Sequence, residues 1–296
     1  MERTTKIALA ITLAILIGST SLAVIILMKG WAVPAPEIGN IGLIRIEGTI
    51  ASSPGILGGA DPEEIVPLLK EAGKDPSIKA ILVRINSPGG QAAASQEIYR
   101  EIMRVRRAGK PVVASIGDIA ASGGYYVASA ADKIVAEQGA LTGSIGAIST
   151  IPQLAEFLKK LGIEFVVIKA GKFKDITSPF REITPEEKEL LQEMIDDIHE
   201  QFIKDVAEGR GLDVTKVREI ADGRILTGKQ AKELGLIDEF GNLNDAIEIA
   251  AKLAKIEKPA VVELQRRPFL QELLRLLTYE FGRGVIESIL SKLGII

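Results

Sequence analysis

Three short segments carry residue types suited to acyl chemistry. Asn86-Ser87-Pro88-Gly89-Gly90 follows an apolar β-rich run and precedes a helical pattern. Its glycines let the backbone turn tightly and leave amide N–H groups near a helix N-terminus, where a developing oxyanion would be held. The same sequence also suits an ordinary turn. Ala120-Ala121-Ser122-Gly123-Gly124-Tyr125-Tyr126 repeats the strand-to-helix setting around one serine. Its small neighbours leave room for a peptide backbone, although small residues also pack strand–helix junctions. Composition alone leaves Ser87, Ser115, Ser129, Ser144 and Ser149 open as nucleophiles. Gly171-Lys172-Phe173-Lys174-Asp175 opens a loop running to Glu182 and supplies lysines of a kind that is ordinarily solvated.

A serine nucleophile needs a base. The 296-residue chain has no cysteine and one histidine, His199. That excludes disulfides, thiolate chemistry and multi-histidine metal sites. Any Ser-His-Asp triad would have to use His199, which falls on the flank of a helical apolar stripe, a poor position for a base. Lysine is then the natural candidate. Its unperturbed pKa near 10.4 must fall by about 2–3 units for action at neutral pH, roughly 3–4 kcal/mol, which burial away from acids can supply. No phosphate-binding Gly-x-x-x-x-Gly-Lys-Ser/Thr segment occurs, so no metal and no cofactor is expected. A net charge of -3 gives no reason to expect nucleic acid as a partner.

The elements that must position these segments alternate. Strand patterns fall at 42–47, 79–85, 112–116, 133–137, 145–150, 164–170 and 260–264. Helical patterns fall at 62–73, with Asp61 as N-cap, and at 92–108, 123–131, 152–161, 213–221, 228–234 and 243–255. The clearest helix opens on Thr184-Pro185-Glu186-Glu187, an N-cap, a first-turn proline and a capping glutamate, and carries the stripe Leu191, Met194, Ile195, Ile198, Phe202. Strands alternating with helices predict a mostly parallel α/β domain over 41–264. Apolar residues are 47% of the chain, enough for a sizeable core.

The ends read differently. An uncharged run begins at Ile7, ends at Met28 and is bounded by Lys6 and Lys29. Its 22 residues would span roughly 33 Å as a helix, enough to cross a bilayer core. Residues 1–29 are therefore expected to form a membrane anchor, with a linker at 30–40 containing Pro34 and Pro36. Arg3 and Lys6 before the run favour a cytoplasmic N-terminus and an extracytoplasmic domain. The run is longer than the apolar region of a cleaved signal peptide. Residues 265–296 form an amphipathic segment, with Leu270, Leu273, Leu274, Leu277 and Phe281 on one helical face. It suits a helix docked on the domain or on a neighbouring subunit; a membrane-surface helix is the alternative.

Taken in order and spacing, these segments resemble the signal peptide peptidase A (SppA) family. The resemblance rests on Ser87-Pro88-Gly89-Gly90, Ala121-Ser122-Gly123-Gly124-Tyr125-Tyr126, Leu141-Thr142-Gly143-Ser144-Ile145-Gly146 and Lys172-Phe173-Lys174-Asp175. It also rests on Asp222-Gly223-Arg224-Ile225-Leu226-Thr227-Gly228-Lys229-Gln230-Ala231 and Gly235-Leu236-Ile237-Asp238. It covers about residues 40 to 260 and extends to the N-terminal anchor. The resemblance implies that Ser122 is the nucleophile and that the lysine 52 positions later, Lys174, is the general base. It implies that Ser144 hydrogen-bonds that lysine, and that Gly123 with Gly89 or Gly90 forms the oxyanion hole.

The implied fold is a ClpP/crotonase-like spiral of ββα units in the short, single-copy form. That form assembles into a homo-oligomer in which adjacent subunits share each dyad. The implied substrates are remnant signal peptides and other apolar, unfolded peptides. Three alternatives stand beside this one: a related Ser-Lys protease cleaving stomatin-like proteins, a crotonase-type acyl-CoA enzyme, and an inactive binding subunit on the same scaffold.

Overall fold

The computed structural model describes residues 39–53 and 59–265. The chain divides after Ile38 into two units. The expected anchor, most of the linker and the C-terminal amphipathic segment lie outside the described residues. Among the described residues, no helix is long and apolar enough to cross a membrane.

Eight strands make one sheet: β1 (Ile41–Glu47), β2 (Ala80–Ser87), β3 (Val112–Ala121), β4 (Lys133–Ala136), β5 (Leu141–Gly143), β6 (Ile225–Thr227), β7 (Glu239–Phe240) and β8 (Val261–Glu263). The main path runs β6-β5-β3-β2-β1-β8. Every pairing is parallel except β5 with β6. The helices between them are α1 (Pro62–Lys74), α2 (Ala92–Arg107), α3 (Gly123–Ser129), α4 (Ala155–Lys160), α5 (Pro185–Arg210), α6 (Val214–Ile220), α7 (Gly228–Glu233) and α8 (Leu243–Leu253). The expected mostly parallel α/β class is what the structure has.

Alternation along the strands builds two cores. Ile41, Leu43, Ala80, Leu82, Val113 and Val135 point to a smaller cluster that α8 covers through Ala246, Ala250 and Ala251. Their neighbours Ile44, Ile46, Ile81, Val83, Ile85, Val112, Ala114 and Ile134 point to the larger core. A central parallel strand buried on both faces reads as a continuous apolar run, as Ala80-Ile81-Leu82-Val83 does. Each fully buried Ile or Leu contributes on the order of 1.5–3 kcal/mol.

Strand β3 serves two partners in turn. Its first half, Val113–Ser115, pairs with β4; its last three residues, Ile119–Ala121, pair with β5. Its register against β2 shifts between Ile85 and Ser87. The strand was expected to stop at Ile116 and instead runs on to Ala121, bringing the chain to Ser122 at its carboxyl end.

Two expected strands are absent. Residues 145–150 and 164–170 form no ladder; Ile145 is buried in the larger core, while Ile148 (87%), Val166 (88%) and Ile168 (96%) are exposed. A pattern of alternating or continuous apolar residues reports burial against something; among the described residues nothing covers Ile148, Val166 or Ile168.

The carboxyl end of α5 is fixed by two charge networks. Arg106 donates to Asp132 (2.8 Å) and to the carbonyls of Ala130 (2.7 Å) and Gly209 (3.2 Å). Asp238 accepts from Arg210 (2.7 Å), the Ile134 amide (2.8 Å) and Lys133 (3.1 Å). Burial opposes ionisation of Asp238, but Arg210, the Ile134 amide and Lys133 hold its pKa below the ordinary carboxylate value. Its contribution is complete above about pH 4 and is lost as pH falls through the lowered value. Asp238→Ala would leave the Arg210 guanidinium, 6% exposed, without its carboxylate. A loss of about 3 kcal/mol is expected, read as a lower urea midpoint at pH 7.

Candidate active site

Three neighbouring strands of the sheet, β2, β3 and β5, end at the same edge. In parallel α/β sheets the carboxyl edge is where ligands bind, and here it gathers most of the candidate residues.

Beyond β2, Gly89 donates to the Ser87 hydroxyl (3.2 Å) and its carbonyl accepts from Ile50 (2.9 Å). Gln91 donates to the Ile50 carbonyl (2.8 Å), so the turn is pinned on both sides of Gly90. The Gly90 amide has no hydrogen-bond partner among the described residues. Gly89 has φ +117, a conformation that L side chains rarely adopt, and a Cβ there would lie 2.8 Å from Ser122 Cβ.

Beyond β3, Ser122 is the N-cap of α3 with φ 51 and ψ -121. That backbone costs a non-glycine residue about 1–3 kcal/mol and persists only where its surroundings impose it. The Ser122 amide donates to Gly143 on β5 (2.9 Å), and its carbonyl accepts from Tyr126 in α3 (2.8 Å). The Gly123 amide, in the first turn of α3, has no intrahelical acceptor. A Cβ on Gly123 would lie 3.1 Å from the Gly90 nitrogen and 2.4 Å from Ser95 Oγ. Two unpaired amides, Gly90 and Gly123, therefore stand together beside the Ser122 side chain.

Beyond β5, Ser144 follows the carbonyl that holds Ser122. It too has positive φ (52°), and its amide donates to Arg224 (2.8 Å). Its hydroxyl has no partner among the described residues. Strand β5 is fastened to β3 by the Thr142 hydroxyl on the Ala120 carbonyl (2.8 Å).

A cavity of about 550 Å³ opens at Ser122 and Gly123 and runs between Ser95, Tyr126, Ile148, Ile195, Ile198 and Phe202. Its aromatic residues are Tyr126 and Phe202, stacked with ring centroids 4.4 Å apart. The Tyr126 hydroxyl donates to the Asp205 carboxylate, which also accepts from Gln201 (2.9 Å). Burial, with Asp205 beside it, pushes the Tyr126 pKa far up, so the phenol stays neutral and the cavity stays apolar. Sequence reading had placed Ile195, Ile198 and Phe202 on one stripe without saying what they face. Tyr126 carried a signal, lying one turn after Ser122; Ser95 carried none.

Lys174 is elsewhere. It is exposed, on a loop after Gly171, and does not line the Ser122 cavity. Its side chain makes no ion pair among the described residues. One chain thus brings together Ser122, Ser144, Gly89, Gly90 and Gly123, and leaves Lys174 outside. His199 does not line the cavity either, and its Nε2 is buried without a partner.

The loop of Lys174 has an order of its own. Arg181 holds Asp175 through two nitrogens (2.8 and 2.9 Å) and Glu187 through two more contacts (2.8 and 2.5 Å). Hydrogen bonds from Arg181 and Lys169 pull the Asp175 pKa well below the carboxylate range. Those from Arg181, with the Thr184 amide, take Glu187 down to about 2. Glu187 is also the capping-box partner of Thr184, as its sequence spacing predicts. The six-residue steps from Asp175 to Arg181 to Glu187 match no local motif, and sequence reading missed them.

A serine hydroxyl beside two free amides and an apolar cavity can attack a carbonyl and hold the oxyanion that results. Comparison with known proteins agrees. Residues 104–257 match the model of peptidase family S49. A candidate protease of Synechocystis sp. is 43% identical over 256 residues, 86% of this chain and 88% of the relative. The chain belongs to peptidase family S49 and is a serine peptidase. It is also 39% identical over 235 residues to the chloroplastic serine protease SPPA of Arabidopsis thaliana, covering 77% of this chain and 35% of that one. Among solved structures, a mutant of a membrane-bound stomatin-specific protease matches at 18% identity with a TM-score of 0.48, over 77% of this chain and 99% of that one.

Gly89→Ala places a methyl group against the Ser122 side chain at a position with φ +117. The protein is expected to fold, with a stability loss of about 1–3 kcal/mol. Peptidase kcat/KM should fall at least about 100-fold, because small displacements of a nucleophile are enough to do so. Circular dichroism and steady-state kinetics on one preparation check both.

Proposed function

We propose that this protein is a membrane-anchored Ser-Lys endopeptidase that degrades remnant signal peptides and other apolar, unfolded peptides. The observation that carries the reading is Ser122, held at φ 51 beside the unpaired Gly90 and Gly123 amides at the mouth of an apolar cavity. An extended peptide lies across the carboxyl edge with an apolar side chain in the cavity. Neutral Lys174 takes the Ser122 proton, and Oγ bonds to the scissile carbonyl carbon. The oxyanion accepts from Gly90 and Gly123; Gly89 is the weaker choice because its amide is engaged by Ser87. The Lys174 ammonium then protonates the leaving amine as the C–N bond breaks. Water, deprotonated by the same lysine, releases the acyl group from Ser122. Ser144, beside Ser122 and with a free hydroxyl, orients the incoming amine.

The lysine that enters each site belongs to an adjacent subunit in a homo-oligomer of ClpP/crotonase-like spirals. Two observations support this. Lys174 stands outside the cavity of its own chain, and residues 155–170 before it expose Phe157, Val166 and Ile168. Apolar surface so concentrated marks an interaction site. The uncharged run at 7–28 anchors the assembly, with the catalytic domain on the extracytoplasmic side, close to the membrane segments it consumes.

The test uses two inert chains. Ser122→Ala and Lys174→Ala, each assembled alone, should cleave no apolar fluorogenic peptide. Co-assembled at equal amounts, they should regain about a quarter of wild-type activity, since random head-to-tail contacts restore that share of complete sites. Full activity in either variant alone removes its residue from the mechanism. No recovery on mixing places both halves of the dyad in one chain. Wild-type activity should rise toward alkaline pH, because the working base is the neutral amine.

A further inference from the structure

Lys174 is followed directly by a carboxylate. A free Asp175 beside it would favour the ammonium form and remove the neutral amine that the reaction needs. Asp175 is not free. Arg181 grips both of its side-chain oxygens (2.8 and 2.9 Å) and also donates to its backbone carbonyl (3.1 Å). Lys169 meets the same carboxylate and donates to the Lys172 carbonyl (2.9 Å), closing the loop from the other side. The guanidinium also holds Glu187 at the start of α5, and donates to the Glu182 carbonyl (3.0 Å). These side chains are sheltered, with Asp175 13%, Glu187 5% and Arg181 28% exposed.

We infer that Arg181 is a positioning residue for the general base: it fastens the Lys174 loop to α5 and withholds the Asp175 carboxylate from Lys174. The inference rests on Lys174 being the base. The groups that meet Asp175 are Lys169 and Arg181 from its own loop, with Glu187 of α5 reached through Arg181. Lys172 is paired with Glu186 of α5. The charged residues of α4, Glu156, Lys159 and Lys160, make no ion pair with Asp175 among the described residues. Among the described residues, Arg181 is the one cation that reaches both carboxylates. A planar fork can do this, and a lysine ammonium cannot reproduce its two-sided geometry. Bidentate pairing also directs the Asp175 oxygens toward Arg181, so the arrangement sets geometry as well as charge.

The experiment measures kcat and KM against pH for the full-length assembled protein with an apolar fluorogenic peptide. The proteins are wild type, Arg181→Ala, Arg181→Gln, Arg181→Ala with Asp175→Asn, and Lys174→Ala. Removing the guanidinium leaves Asp175 to Lys169 alone, so its second oxygen can turn toward Lys174 and favour the ammonium form. The acid limb of kcat should therefore move to higher pH by about one unit, with kcat near neutrality about tenfold lower and KM changed less. Neutralising Asp175 in the Arg181→Ala background should return the limb to its wild-type position. A purely structural Arg181 would lower activity at every pH and leave the limb where it is. Arg181→Gln keeps hydrogen bonds without charge and serves if the alanine variant does not assemble. A wild-type limb in the assembled Arg181 variants, with Lys174→Ala inactive, overturns the inference and leaves the proposed mechanism intact. An active Lys174→Ala overturns both.

Discussion

The hydrogen bond from the Ser122 amide to the Gly143 carbonyl ties the end of β3 to the end of β5 at the candidate nucleophile. Most of the site follows from it. With the amide so engaged and the carbonyl held by Tyr126, Ser122 has little choice but positive φ, and its side chain is turned out of both the sheet and the helix. Helix α3 then starts at Gly123, and its first amide points to the same space. The turn after β2 has to approach closely enough to bring the Gly90 amide alongside. That closeness is why Gly123 cannot carry a side chain: one added carbon there would meet Ser95 and the Gly90 nitrogen together. The two strand ends and the turn are three views of one packing constraint.

The same constraint explains what the sequence could and could not disclose. The fold class was legible because buried parallel strands leave continuous apolar runs, and β2 is such a run. The helix starts were legible where side chains cap locally: Asp61 accepts from Glu63 (2.9 Å), and Thr184 and Glu187 exchange hydrogen bonds across the first turn of α5. Ser122 and its glycines were legible as a spacing, through resemblance, but not as a geometry. That the Gly89 amide is engaged depends on the Ser87 hydroxyl, buried at the end of β2 and pointing back at the turn. No local pattern specifies that contact.

The errors have a shared physical origin. Residues 145–150 and 164–170 have the composition of strands, yet neither joins a strand ladder among the described residues. Apolar patterning does not record which molecule buries a segment. In a subunit whose arm is covered by a neighbour, such segments are read as internal strands because a single sequence offers no other place to put them. Residues 164–180 expose Phe165 and Phe180 as a stacked pair (4.1 Å between centroids), with Val166 and Ile168 also exposed.

The settings of Ser122 and Lys174 are built on opposite principles. Around Ser122 the polar groups are backbone amides, fixed by strand ends and a helix start, and the walls are apolar. Around Lys174 the order comes from charge: Arg181 between Asp175 and Glu187, with Lys169 on the far side. A nucleophile and an oxyanion hole need sub-ångström placement, which a rigid backbone supplies. A lysine base needs a setting free of uncommitted carboxylates, and a charge-dense arm can supply that only if each nearby acid already has its cation. The Glu187 carboxylate, with its pKa held near 2, and the more strongly lowered Asp175 meet that condition on both sides of Arg181. Each setting is formed by its own kind of interaction, backbone hydrogen bonds at the sheet edge around Ser122 and ion pairs in the loop of Lys174.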